Sequence, residues 1–82
     1  METIKTLVNI LTNNFKVKSN INENMYDCPL TGPSFELDAT ELYQFLMCIE
    51  NEFGISIFPE DIQKYGFRTL EDISHIISKK FL

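Results

Sequence analysis

The chain has 82 residues, 44% of them hydrophobic and 12% aromatic, which is one domain with a small packed core and too apolar for a disordered tail. A core this size leaves little room for a deep catalytic cleft, so the composition points away from a stand-alone enzyme. The formal charge is −5, and no Lys or Arg occurs between Lys18 and Lys64. That interval holds Glu23, Asp27, Glu36, Asp38, Glu41, Glu50, Glu52, Glu60 and Asp61, a block that phosphate backbones would repel; nucleic acid is not the expected partner.

No apolar run approaches the roughly 20 residues of a membrane span, and Met-Glu-Thr-Ile-Lys lacks the layout of a signal peptide. The two cysteines, Cys28 and Cys48, form no Cys-x-x-Cys pair. A reduced, cytoplasmic monomer is the expectation, with a Cys28–Cys48 disulfide as the alternative.

In chain order, Ile4, Leu7, Val8, Leu11 and Phe15 make a helical stripe from Glu2 to about Phe15. Lys16 and Lys18 follow it, suited to the negative end of the helix dipole. From Ser19 to about Leu37 no period persists, and Asn, Pro, Gly and Ser collect. Six apolar anchors (Ile21, Met25, Tyr26, Leu30, Phe35 and Leu37) are expected to pin this long connection across the bundle. Leu30-Thr-Gly-Pro-Ser34 is turn chemistry.

The best-delimited element follows. Asp38 with Glu41 three residues on is a capping-box pattern. Leu42, Phe45, Leu46, Ile49 and Phe53 recur at three- and four-residue steps, and Gly54 is placed for a left-handed stop. Pro59 suits the first position of a short helix, Pro59–Tyr65, with Glu60 and Asp61 in its first turn and Gly66 after it. Thr69 is placed to cap a last helix bearing Leu70, Ile73, Ile76 and Ile77 and ending at Lys79 and Lys80. The expectation is an all-α domain over residues 1–82, with three main helices, one short helix and a long first loop.

Candidate chemistry is sparse. His75 is the single histidine, with no cysteine near it in sequence, so neither a metal nor a catalytic role is expected. Asn20, Asn22 and Asn24 have the alternate spacing of a calcium loop, but Met25 stands where the turn glycine is needed and Thr31 where the bidentate Glu belongs. Capping and solvation account for the carboxylate pairs Asp38/Glu41 and Glu50/Glu52 without catalysis.

The order of elements, a helix, a long anchored loop, an acidic capped helix, a short helix and a final helix, resembles the acyl and peptidyl carrier proteins across nearly the whole chain. Ile49-Glu-Asn-Glu-Phe-Gly-Ile-Ser-Ile57 resembles the end of their second helix, commonly Leu-Glu-Glu-Glu-Phe-Gly-Ile-Glu-Ile. Pro59-Glu-Asp61 is similar to their short-helix start, and Phe67-Arg-Thr-Leu-Glu-Asp-Ile73 to the opening of their last helix. The resemblance implies a four-helix carrier-type bundle. In that family an Asp-Ser-Leu motif opens the second helix, and its Ser carries a 4'-phosphopantetheine arm. Without gaps, the motif falls on Asp38-Ala39-Thr40, and Ala39 has no oxygen to modify. A gapped register puts Glu36 at that position, equally inert. A second aligns Leu30-Thr-Gly-Pro-Ser34 with Leu-Gly-x-Asp-Ser, making Ser34 the attachment site but placing Pro33 where the Asp belongs.

The chain is also similar to the carrier-related accessory proteins of bacterial peptide-maturation systems, through Pro29–Gly32, Phe35-Glu-Leu37 and Tyr65-Gly-Phe67. The first expectation is therefore an interaction module with no cofactor. It would dock the basic surface of a biosynthetic or modification enzyme through Glu41, Glu50 and Glu52, with Gln44, Met47 and Cys48. The alternative is a working carrier with phosphopantetheine on Ser34. A third is a helical partner of the toxin–antitoxin kind.

Overall fold

The computed structural model describes residues 2–15 and 21–81, and these form α1 (Glu2–Asn14), a short 3-10 turn (Glu23–Met25), α2 (Ala39–Phe53), α3 (Pro59–Tyr65) and α4 (Leu70–Lys80). The all-helical expectation holds: the described residues form four α-helices and no strand. Lys16, Lys18 and Asn20 lie outside the described residues.

The helix boundaries follow from local chemistry. Asp38 accepts the Glu41 amide at 2.8 Å while the Glu41 carboxylate accepts the Asp38 amide at 3.1 Å, the reciprocal capping box. Gly54 closes α2 at φ 65°, a left-handed conformation that costs a residue with a Cβ about 1–2 kcal/mol. Thr69 Oγ1 accepts the Asp72 amide at 3.0 Å and starts α4. At α3 the arrangement is one-sided: Asp61 accepts the Phe58 amide at 2.8 Å, but Phe58 has no side-chain oxygen to return the bond.

α1 packs against both α2 and α4, and α3 packs on α4. Contact on two sides widens the buried face of α1, so Ile10, absent from the expected stripe, is in the core, while Val8 and Phe15 are only half-buried at its edge. Phe45 of α2 is fully buried and meets Phe15 edge-on, with ring centroids 5.9 Å apart. Ile49, Leu70, Ile73, Ile76 and Ile77 complete the centre. Each fully buried side chain of this size contributes about 1.5–3 kcal/mol through burial.

The long connection is ordered by backbone hydrogen bonds as well as by its anchors. Leu30, Phe35 and Leu37 are buried; Ile21, Met25 and Tyr26 are half-buried. The Leu30 amide donates to Arg68 O at 2.7 Å, and Leu30 O accepts the Leu37 amide at 3.0 Å. Tyr26 O accepts the Glu71 amide at 3.1 Å, satisfying one of the free donors in the first turn of α4. Asn22, one of the alternately spaced asparagines, caps the 3-10 turn by accepting the Asn24 amide at 3.0 Å. Glu36 stands at φ 56°, a left-handed conformation held between the buried Phe35 and Leu37. Cys28 and Cys48 are free thiols, so the alternative disulfide is not formed.

Candidate functional site

The face of α2 turned away from the core is the candidate site. One residue advances about 100° around an α-helix, so residues four apart share a side. Ala39, Tyr43 and Met47 follow that rule and form an exposed stripe; Tyr43 is 62% and Met47 52% accessible. Thr40, Gln44 and Asn51, all uncharged and exposed, run beside it.

Beside the stripe lies a groove of ≈ 230 Å³, lined by Ala39, Leu42, Tyr43 and Leu46 on α2 and by Phe67 from the α3–α4 connection. Its walls are almost wholly apolar. Leu42 and Leu46 are half-buried because they sit between the core-facing Phe45 and Ile49 and the exposed stripe. Phe67 reaches this place because Gly66, at φ 86°, turns the chain between α3 and α4.

The carboxylates expected to form one acidic face are divided by the helix. Glu50 and Glu52 are two residues apart and so about 160° apart around the axis. Glu50 lies on the side of the stripe; Glu41 and Glu52 lie on the far edge. Two of the three also hold the fold. Glu41 belongs to the capping box, and Glu50 Oε2 accepts the Ile57 amide at 2.8 Å, steadying the exit from α2. Glu52 and Gln44 are exposed, and Cys48 is half-buried.

The positions singled out by the carrier resemblance are distinct. Asp38 is the cap of α2, and Ala39 is its first helical residue, exposed at the mouth of the groove. A methyl group there cannot form a phosphodiester. Ser34 is half-buried in the 31–35 turn, which the Glu36 amide closes by donating to Gly32 O at 2.8 Å; it lies five residues before the helix starts. Glu36 is exposed and carries no hydroxyl. His75 is exposed on α4, and among the described residues no group of three or more His, Cys, Asp or Glu side chains converges to hold a metal ion.

A second polar cluster joins α3 to α4. Asp61 Oδ2 lies 2.8 Å from Lys80 Nζ, and the same ammonium stands 4.8 Å from the centre of the Phe58 ring. The bond from Lys80, then the bond from the Phe58 amide, holds the Asp61 carboxyl below its ordinary value.

Of the apolar part of the site, the sequence pointed to Met47 but not to Tyr43 or to the groove. Tyr43 carried the available signal, an aromatic residue four positions from Ala39 and from Met47 but off the core stripe. Phe67 carried none, since its place beside α2 depends on the turn at Gly66. No described helix is long and apolar enough to cross a membrane. No family model, no curated protein and no solved structure matches the chain.

Proposed function

We propose that this chain is a carrier-like docking module: it presents α2 to a biosynthetic or peptide-maturation enzyme and bears no thioester itself. The observation that carries the reading is Ala39. It stands at the first position of a fully capped helix, where the resembling family bears its arm, and it opens an exposed stripe with Tyr43 and Met47. Exposed aromatic and Met side chains on a rigid helix are the usual make-up of an interface centre. The surplus of acid on α2, which has no Lys or Arg, favours a basic partner and speeds encounter with it. Glu41 and Glu52 contribute by this longer-range field, Glu50 and Met47 by standing on the docking side, and Gln44 by lining its edge. The chain carries out no catalysis in this reading and acts as a cytoplasmic monomer.

Two measurements test it. Incubation with coenzyme A and a broad-specificity phosphopantetheinyl transferase leaves the intact mass unchanged. A gain of one phosphopantetheine that disappears in Ser34→Ala would make the chain a working carrier instead. Thr40→Lys with Gln44→Lys places two cations beside the stripe at exposed, polar positions. The double variant loses co-purification with the enzymes encoded by neighbouring genes. If co-purification is unchanged, α2 is not the docking face.

A further inference from the structure

Residues 58–66, which contain α3, run between two pinned flanks. On the near flank Ile57 is buried, and its amide donates to Glu50 Oε2 at 2.8 Å. On the far flank Phe67 is buried and the Arg68 backbone is tied twice. The Arg68 carbonyl accepts the Leu30 amide at 2.7 Å, and the Arg68 amide donates to Asp72 Oδ2 at 3.3 Å. Gly66, at φ 86°, is the joint between α3 and this far flank.

The span between the flanks is held by little. α3 is seven residues long, contains no buried residue and, among the described helices, packs on α4 alone. Isolated helices shorter than about 12–15 residues are marginal in water, so α3 depends on what it leans against. Its apolar hold is Ile62 and Tyr65, both half-buried at the edge of the core. Its polar hold converges on one ammonium. Lys80 Nζ stands 2.8 Å from Asp61 Oδ2 and 4.8 Å from the centre of the Phe58 ring. Phe58 and Asp61 are themselves joined, the Phe58 amide donating to Asp61 Oδ2 at 2.8 Å, so Lys80 grips the entry to α3 as one piece. Ile73, Ile76 and Lys80 follow at three- and four-residue steps and share one side of α4. Ile73 and Ile76 are fully buried on it.

We infer that residues 58–66 form a lid on the side of α4 that carries Ile73 and Ile76, latched by Lys80, and that the lid opens as a unit while α1, α2 and α4 stay folded. The inference is independent of the docking reading. Phe67 lies beyond the Gly66 joint on the pinned flank, so opening leaves the groove beside α2 with its wall. The chain thus keeps its α2 face while it uncovers a second apolar surface, on α4.

Native-state hydrogen exchange of the whole chain at increasing urea tests this. The amides of Gln63, Lys64, Tyr65 and Gly66 share one opening step with a shallow urea dependence. Corrected for intrinsic rates, they exchange at least about a hundredfold faster than the amides of Phe45 and Ile77. The Leu30 and Ile57 amides, one on each flank, exchange with the slow group. Asp61→Asn keeps an oxygen for the Phe58 amide but removes the charge, and it speeds the four lid amides about two- to fivefold. Lys80→Gln removes the ion pair and the ring contact together and speeds them about five- to tenfold. Ile10→Val lies in the core on α1, which does not pack on α3. It speeds the Phe45 and Ile77 amides about two- to tenfold and leaves the lid amides unchanged, because the open and closed states lose the same contact.

The inference is overturned if the lid amides share the opening step and urea slope of Phe45 and Ile77, or respond to Ile10→Val as those do. In either case α3 opens only with the whole fold. Lid amides that ignore both Asp61→Asn and Lys80→Gln remove the latch and overturn it as well. Fast exchange of Leu30 or Ile57 along with the lid means that the flanks are not pinned, with the same consequence.

Discussion

Glu50 and Ile57 are joined by a 2.8 Å hydrogen bond in which the Ile57 amide donates to the Glu50 carboxylate. The backbone carbonyl of Glu50 also accepts the Gly54 amide and, at 3.2 Å, the Ile55 amide. One residue therefore closes α2 and holds the strand-like connection into α3. Glu50→Ala leaves the part-buried Ile57 amide without its acceptor, at an expected loss of about 1–3 kcal/mol in urea unfolding. Glu50→Gln keeps an amide oxygen in place and loses less than half of that. Equal losses for the two would show that charge, and not the hydrogen bond, matters here.

The two left-handed glycines are expected to differ. Gly54 has φ 65° with open space where a Cβ would stand, so Gly54→Ala costs only the backbone strain, about 1–2 kcal/mol. At Gly66, φ 86°, a Cβ would come within 2.9 Å of Asp72 Oδ2. That same oxygen accepts the Arg68 amide at 3.3 Å, so it cannot move away without loss. Gly66→Ala is the more destabilising of the two in parallel urea titrations, and it also shifts the Phe67 ring signals.

Acid should loosen the α3–α4 junction. Asp61 is held below its ordinary value of 3.8, first by Lys80 and then by the Phe58 amide. A depressed folded pKa adds stability that is full above the unfolded value and is lost as pH falls through the folded one. Melting temperature measured from about pH 6 down to about pH 2 therefore falls less steeply in Asp61→Asn than in the wild type. Added salt narrows the difference, because the pair is near the surface. Identical acid slopes would remove Asp61 from the account.

Phe45 is the core residue with most to lose. It is fully buried and packs edge-on against Phe15. Phe45→Ala costs about 3–5 kcal/mol, a large part of the roughly 5–15 kcal/mol available to a small domain. The near-ultraviolet signal and the cooperativity of the melt are expected to drop together. A melt unchanged in midpoint would mean that α1 and α2 are not held together at this ring pair.

The boundaries of α2, α3 and α4 were legible because caps act within one turn. Asp38 with Glu41, Gly54, Pro59, Gly66 and Thr69 each stop or start a helix through neighbours three or four residues away. The core stripe of α2 was legible for the same reason, since helical period alone sorts Phe45 and Ile49 inward. Ile10 was not, because its burial depends on α1 being covered from two sides.

The sequence by itself determined the all-helical architecture, the caps, the acidic balance and the absence of an oxygen at Ala39, all of which are local or compositional. Tertiary structure decided the surroundings of α2 and the junction of α3 with α4. It committed Glu50 to Ile57, joined Lys80 to Asp61 and brought Phe67 beside Leu42 and Leu46. None of these pairings has a period or a spacing to betray it. Each depends on the turn between two helices, and a turn of one residue, Gly66, is enough to place an aromatic wall against α2.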